Sequence, residues 1–260
     1  MTEKFTAWQL FDQVLRTFFL SIWRLPLLVV ATVIAHAALW GFYLQDVPFA
    51  QGYTTSNLAV HLALTALVLS PLTVAVMRRV ILGKTYVHDW WQPSVWRIAG
   101  LIFLALIGLH LLEGYVVNPL IYFSMTGDGG WISQTAWTLQ GWSYVALLVA
   151  VGARFVWIVP ALAVGRTKSV KVAFREIRGN YRLALAVCLL AILPIYIFEY
   201  YFGIGPAGRE QGIYPMRFGW VWWISFLEHS AILTGWCILL ASLSAELYRV
   251  EFGRRGVTAP

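Results

Sequence analysis

Charged side chains are scarce in this sequence. Asp, Glu, Lys and Arg together make up 12% of its 260 residues, whereas hydrophobic residues make up 60%. A soluble globular protein carries about 25% charged residues. The apolar residues also fall in runs longer than the roughly 20 residues needed to cross a bilayer. The composition therefore excludes an ordinary soluble protein and predicts an integral membrane protein that crosses the bilayer several times.

Cysteine and catalytic motifs are also lacking. The two cysteines, Cys188 and Cys237, lie inside apolar runs, which excludes a secreted disulfide framework and leaves no Cys/His spacing of a metal site. No nucleophile elbow, phosphate-binding loop, zinc-protease motif or paired acid/base signature occurs. The N-terminus lacks the basic leader and compact apolar core of a signal peptide. We therefore expect no catalytic residues, no metal, no cofactor and no enzymatic activity.

What the sequence does contain is a series of apolar segments, each long enough to span a bilayer. They lack the strict alternation of a barrel strand, so helices are expected. Together they form a single transmembrane domain over residues 1–260. The six predicted spans cover residues 25–45, 57–82, 97–121, 139–164, 183–203 and 219–248.

The basic residues predict the orientation of these spans. All but two of the 19 Lys and Arg residues lie at the N-terminus, in the second and fourth connections or at the C-terminus. The exceptions, Arg209 and Arg217, lie in the fifth connection. Lys and Arg are enriched on the cytoplasmic side of membrane proteins. Both termini are therefore expected to be cytoplasmic.

An internal repeat organises the chain. Three apolar runs begin with an aromatic residue, an arginine and Leu or Ile, starting at Trp23, Trp96 and Tyr181. Each is followed by a second span that ends with Gly and a basic residue, in VILGK, LAVGR and VEFGR. Glycine permits a left-handed C-cap, and a cation favours the helix C-terminus. The predicted repeats are residues 5–84, 86–166 and 168–255.

An amphipathic segment precedes the hairpins. In the first repeat, one predicted helical face is apolar and the opposite face is polar. The apolar face carries Trp8, Phe11, Leu15 and Phe18, and the polar face carries Gln9, Asp12, Gln13 and Arg16. Such helices lie in the membrane interface with the apolar face down. The predicted fold is therefore all-α: a polytopic membrane protein of six transmembrane helices in three hairpins, with interfacial amphipathic helices before hairpins.

The segment RFVWIVPALAVGRTKSVKVAFREIRGNYRLALA carries a family resemblance. Its characteristic positions are Arg154, Pro160, Ala161, Ala173, Phe174, Gly179 and Asn180. It resembles the signature of the YciC-like group of six-span bacterial membrane proteins, which is related to the membrane domain fused to some glycerophosphodiester phosphodiesterases. The resemblance implies a multi-pass protein of the bacterial inner membrane and no established activity. No phosphodiesterase domain is present, so that chemistry does not carry over.

Arg154 is a fixed charge inside a predicted span, about 16 Å from the Gly165 exit if the helix is straight. An unpaired arginine there costs at least about 2.5 kcal/mol, so a partner is expected. Glu246 on the sixth span is the best acidic candidate, in a buried ion pair, although Glu246 could instead pair with Arg249. The other interpretations of Arg154 are a clamp on backbone carbonyls, a lipid-phosphate or anion contact, and snorkelling to the surface.

Glu228 and His229 lie in the outer half of the last predicted span, and Glu113 and Glu199 occupy matching places in the second and third repeats, near the outer interface. Ionisable residues inside a membrane are candidates for function. A proton or cation site is one interpretation, to which His61 and His110 are candidate contributors. Polar packing near the outer interface is the other. No His pair at metal-binding spacing supports a metal site.

The fourth connection is strongly basic and has an apolar opposite face. Anionic lipid headgroups fit this arrangement better than nucleic acid, and a cytosolic partner helix is the alternative. The predicted headgroup or anion contacts are Arg166, Lys168, Lys171, Arg175, Arg178 and Arg182.

Two functions are therefore open. The first is a non-catalytic membrane protein that scaffolds or accompanies a larger membrane complex or organises local lipid. Its expected partners are anionic membrane lipids, with a membrane-protein partner or a second copy of the chain as further candidates, and no nucleic acid. The second is a small transporter or channel-like protein that uses Arg154, Glu228, His229 and Glu246.

Overall fold

The computed structural model describes residues 6–45, 55–83, 92–112, 158–165, 185–186, 189–190 and 220–253. All regular secondary structure within these ranges is helical, as predicted. The helices are α1 (Ala7–Arg24), α2 (Pro26–Gln45), α3 (Thr55–Leu82), α4 (Pro93–Leu112), α5 (Ile158–Ala163) and α6 (Trp220–Gly253).

Two described helices are long and apolar enough to cross a membrane, over Leu58–Leu82 of α3 and Phe226–Val250 of α6. A third candidate arises if α1 and the Pro26–Gly41 part of α2 form one broken span. The described part of the chain thus supports two to three spans, not the six predicted. Helices α2, α3 and α6 match three predicted spans and α4 overlaps a fourth, whereas most of 139–164 and 183–203 lies outside the described residues.

Helix α1 begins with a capping box and ends at a sharp elbow. Thr6 Oγ1 accepts a hydrogen bond from the Gln9 backbone N–H, and the Gln9 side chain accepts one from the Thr6 N–H. At the other end, Leu25 donates its N–H to Ser21 O, and its own carbonyl accepts from Val29. Pro26 has no N–H and fixes φ, so the α1 ladder cannot continue through it. The two helix axes differ by 86° as a result.

Helix α3 passes through Pro71 without ending. Proline removes the N–H that would bond the carbonyl four residues earlier, which here belongs to Leu67. The Ser70 hydroxyl donates to Leu67 O at 3.2 Å and replaces that bond. Such substitution by a neighbouring hydroxyl is how proline is tolerated inside apolar helices.

Glycine ends two of the helices as the repeated Gly-basic pattern predicts. Gly83 has φ of 67° after α3, and Gly165 has φ of 80° after α5. Both values lie in the left-handed region that glycine adopts without a steric penalty. The third pattern differs, because α6 still includes Gly253.

The core lies where the helices meet, with α3 contacting α2, α4, α5 and α6. Its buried apolar residues are Leu25, Leu28, Leu72, Val74, Ala75, Val76, Met77, Val95, Ile98, Ala163, Ile238, Ala241 and Ala245. The outer surface is also apolar: Leu27 is 86% exposed and Leu104 is 64% exposed. Large exposed apolar surfaces are expected where lipid replaces water.

Candidate functional site

Polar side chains gather at two opposite ends of the group formed by α2, α3 and α6. Trp40 near the end of α2 contacts His61 and His229, which lie near the starts of α3 and α6. We call this the histidine end. Arg78 and Glu246 lie near the opposite ends of α3 and α6. We call that region, which includes α1 and the start of α4, the basic end.

Glu246 joins α6 to α1 at the basic end. Its side chain is almost fully buried, with the residue 1% exposed. Gln13 Nε2 donates to Glu246 Oε2 at 2.8 Å, and Thr17 Oγ1 donates to Glu246 Oε1 at 2.7 Å. A buried carboxylate requires such partners, because leaving it unsatisfied is expensive. The carboxylate therefore fixes α1 across the end of α6.

Two ion-pair partners were open for Glu246, namely Arg154 and Arg249. Arg249 Nη1 lies 3.7 Å from Glu246 Oε2, which confirms the i,i+3 pairing. Arg249 is half-exposed, so this pair is screened and contributes little. Arg154 lies outside the described residues, and its pairing with Glu246 stays a prediction.

Gln13 corrects the predicted faces of α1. The sequence pattern assigned it to the polar face, but the structure turns it toward Glu246. The face of α1 that contacts α6 carries Leu10, Gln13, Val14, Thr17 and Ser21, at helical spacing. Because polar residues alternate with apolar ones on this face, the pattern of the sequence does not mark it as a buried face.

Arg78 forms the clamp on a backbone carbonyl that was considered for Arg154. Its Nε donates to Ala163 O at 2.7 Å, and its Nη2 donates to Ser94 Oγ at 2.9 Å. Ala163 is the last residue of α5, where carbonyls lack intrahelical donors and attract cations. The guanidinium therefore ties α3 to α4 and α5.

Trp40 lies at the centre of the histidine end. Its ring centroid is 4.6 Å from that of His61 and 5.5 Å from that of His229, both in edge-on geometry. His36 lies one turn earlier on α2, and its ring stacks toward His229 with centroids 6.3 Å apart. His36 Nδ1 shares a 2.9 Å hydrogen bond with the hydroxyl of buried Ser230. The cluster thus connects all three helices.

His36 is not among the site residues that were predicted from the sequence. It is a histidine within an apolar run, and the rule that singled out His229 applies to it equally. Its Nε2 is buried without a hydrogen-bond partner among the described residues.

The structure describes some of the other predicted intramembrane residues. His229 and His61 both contact Trp40, as described, and Glu228 is half-buried beside His229. The His229 ring contacts that of His36, although residue 229 is exposed. Glu113, Glu199 and the side chain of His110 lie outside what the structure describes, as do all six basic residues Arg166, Lys168, Lys171, Arg175, Arg178 and Arg182.

Among the described residues, no group of three or more His, Cys, Asp or Glu side chains is arranged to hold a metal ion. The rings of the histidine end pack edge-on or stacked, an arrangement that aromatic side chains favour.

Comparison with known proteins gives no relative: no family model, no curated protein and no solved structure matches the chain.

Proposed function

We propose that this protein is a non-catalytic integral membrane protein that organises the lipid around it or accompanies a larger membrane complex. The observation that carries the proposal is the position of α1. This helix bends 86° away from α2 and is tied to α6 through the buried Glu246 carboxylate. A helix at this angle, at the end of long apolar helices, suits the membrane interface.

The remaining faces of α1 match that placement. Its apolar surface is left uncovered, with Trp8 69%, Phe19 58% and Trp23 81% exposed. Burying an exposed Phe side chain in lipid contributes roughly 1.5–3 kcal/mol. Asp12 and Arg16 form an exposed ion pair at 2.9 Å and lie at helical spacing from these rings, on the same side of α1. The side of α1 that is turned away from α6 therefore presents aromatic rings and charges together, a combination that suits the headgroup level of a membrane.

The wider arrangement belongs to the same proposal. We infer six spans in three hairpins in the bacterial inner membrane, with both termini cytoplasmic. The grouping of Arg24, Arg78, Arg79 and Arg97 near one end of the described helices supports this orientation. The resemblance to the YciC-like group supports the same architecture. The anionic lipids would also contact the basic fourth connection, from Arg166 to Arg182.

The proposal is tested by extracting the protein with its native lipid in polymer-bounded nanodiscs and identifying the lipids and proteins that accompany it. We expect anionic phospholipid to be enriched over the bulk membrane. Gln13→Leu with Thr17→Val releases α1 from Glu246 and should reduce this enrichment. Ser21→Ala is the matched control, because Ser21 lies on the same face but bonds only the Thr17 carbonyl. Lipid composition equal to the bulk membrane, together with no co-purified protein, would contradict the proposal.

The basic fourth connection is tested separately in the same assay. Charge reversal at Lys171 and Arg175 should weaken association with anionic lipid, because headgroup attraction contributes about 1 kcal/mol per basic residue near the surface. Reversal at Arg209 and Arg217, in the fifth connection, is the control. Unchanged lipid retention after the first reversal would count against this segment as a lipid contact.

The second candidate is a small transporter or channel-like protein that uses Arg154, Glu228, His229 and Glu246. The observation that favours it is a set of buried polar side chains on α2, α3 and α6. These include His36, His61, Thr65, Ser230, Thr234 and Ser242. Proteoliposomes test it: proton or cation flux that is abolished by His229→Gln would favour transport, and the absence of flux would remove this candidate.

A further inference from the structure

The histidine end brings imidazole rings from three helices around one indole. The centroid of the Trp40 ring lies 4.6 Å from that of His61 on α3 and 5.5 Å from that of His229 on α6. The His36 ring lies 6.3 Å from that of His229 and 6.4 Å from that of Trp40. Histidine is the side chain whose charge changes most readily near neutral pH. Three ionisable rings are thus packed together where α2, α3 and α6 meet.

The cluster lies near the start of two membrane-crossing helices. His61 and His229 are each the fourth residue of a stretch that is apolar enough to span, Leu58–Leu82 and Phe226–Val250. At 1.5 Å per residue, both lie about 4.5 Å inside the span. Residue 229 is exposed, whereas His36 is 1% and His61 is 4% exposed. Protons from the aqueous phase therefore reach the cluster first at His229.

Acid changes the balance between this packed cluster and an open one. In water, an imidazole gains a proton as the pH falls below about 6.5. In the cluster, burial opposes the charge, and so does a second charged ring at the 6.3 Å that separates His36 from His229. The open arrangement therefore binds more protons than the packed one. Because the form that binds more protons is favoured as the pH falls, acid favours separation of the rings.

The neighbouring side chains balance little of this charge. Among the described side chains, one acidic group lies beside the cluster: Glu228, which is half-buried and precedes His229 in α6. One carboxylate balances at most one of three imidazolium charges. Helices α2 and α5 contain no Asp, Glu, Lys or Arg. The other charged side chains described on the remaining helices lie at the basic end; they are Asp12, Arg16, Arg24, Arg78, Arg79, Arg97, Glu246 and Arg249.

Buried hydroxyl groups lie one turn below the rings. Thr65 follows His61 by four residues, and Thr234 follows Ser230, the hydrogen-bond partner of His36, by four. Both threonines are nearly fully buried, and neither hydroxyl has a hydrogen-bond partner among the described residues. Burial of an unsatisfied polar atom is unfavourable, and water entering between separated helices would supply the missing bonds. Opening of the helix ends is therefore favoured by these hydroxyls as well.

We propose that the histidine end is a proton-binding site that opens in acid: protonation of His36, His61 and His229 separates the ends of α2, α3 and α6 that carry them. The first proton binds at the exposed His229, and the two buried rings bind theirs as the helix ends separate. This inference goes beyond the lipid-organising role. It also requires no proton flux across the membrane, so it is independent of the transporter candidate.

The test is hydrogen–deuterium exchange of the full-length protein in detergent micelles, read by mass spectrometry. Exchange is measured at about pH 7.5 and about pH 5.5, on either side of the imidazole value, and corrected for the intrinsic pH dependence of amide exchange. We expect the amides around His36, His61 and His229 to exchange at least about tenfold faster at the lower pH. Peptides from the basic end should change by less than about twofold, because their helices stay packed.

Neutral variants connect this response to the rings. His61→Gln and His229→Gln each remove one charge from the cluster and should each reduce the acid response, and the double variant should abolish it. His88→Gln is the matched control, because the sequence places His88 between the end of α3 and the start of α4. It should keep the full response. Size-exclusion chromatography at neutral pH identifies folded variants, and each single variant tests the site without the other.

Four results would overturn the site. Equal corrected exchange at both pH values would show that the rings stay packed in acid. A full response in both His61→Gln and His229→Gln would place the titrating groups elsewhere. An equal loss of response in His88→Gln would show a general effect of removing a histidine. Faster exchange along the whole chain would show global unfolding instead of local opening. None of these results alters lipid enrichment, so the proposed function stands or fails separately.

Discussion

The hydroxyl of Thr17 donates a 2.7 Å hydrogen bond to Glu246 Oε1, although 229 residues separate the two in the chain. The bond joins the first described helix to the last. Because Gln13 donates to the other carboxylate oxygen, both oxygens of a nearly fully buried group are occupied by α1. The position of α1 and the solvation of Glu246 therefore depend on each other.

Thr17→Val should lower stability by about 1–3 kcal/mol, because it leaves a buried carboxylate oxygen without its donor. Glu246→Gln should also destabilise, and the double variant should lose less than the sum of the two. Thermal unfolding in detergent, followed by tryptophan fluorescence, measures all three. Ser21→Ala, on the same face of α1, should change stability by less than about 0.5 kcal/mol. Additive effects of Thr17→Val and Glu246→Gln would refute the coupling.

Arg154→Ala is predicted to lower thermal stability, since the sequence places this arginine inside a span where it requires a partner. If the partner is Glu246, the loss is non-additive with Glu246→Gln. In such a pair Arg154 would share the carboxylate with α1, because Gln13 and Thr17 already donate to the two oxygens of Glu246. A carboxylate has about four acceptor sites, so a guanidinium can still be accommodated. Additivity in the same unfolding assay would assign Arg154 to another partner.

The helices of this fold could be predicted from the sequence more readily than the contacts of their polar residues. Apolar runs predict α2, α3 and α6, and the Gly-basic exits predict the left-handed Gly83 and Gly165. Both signals are local: they depend on residues within one helix or one cap. The elbow at Leu25 is local as well, because Pro26 determines it.

The polar contacts could not be predicted, because each depends on which helices become neighbours. Gln13 belongs by periodicity to a polar face, yet its partner lies 233 residues away. Arg78 and Arg79 are adjacent and chemically identical, but only Arg78 points to Ala163 and Ser94. Helical geometry turns neighbouring residues to different faces, and only the packing decides which face is occupied.

Arg78→Gln should destabilise the protein by several kcal/mol in sum. It removes two hydrogen bonds from a charged donor, each contributing about 1.5–3 kcal/mol, to Ala163 O and Ser94 Oγ. Arg78→Lys should rescue little, because an ammonium cannot reproduce the fork that bonds both groups. Thermal unfolding in detergent measures the loss, with Arg97→Gln as an exposed control. A midpoint for Arg78→Gln equal to that of Arg97→Gln would contradict the clamp.

His36→Phe should cost about 1–3 kcal/mol, because it leaves the hydroxyl of Ser230 buried without its partner. Adding Ser230→Ala should recover part of this loss, since removing both partners of a hydrogen bond is less costly than removing one. His229→Gln, at an exposed position, is the control within the same cluster. If Ser230→Ala added its own loss to that of His36→Phe, the hydrogen bond would not be the source of the effect.

Gly83→Ala and Gly100→Ala should change stability in opposite directions. Neither added methyl group would meet another atom within 4 Å, so crowding does not separate the two sites. The two sites differ in backbone conformation. Gly83 has φ of 67°, where an L side chain is strained, so alanine there should cost about 1 kcal/mol of stability. Gly100 lies inside α4, where alanine lowers the entropy of the unfolded chain and should add about 0.5–1 kcal/mol. Unfolding midpoints of the two variants, compared with the wild type, check both signs. A gain at Gly83 would mean that the left-handed cap does not end α3 in the membrane.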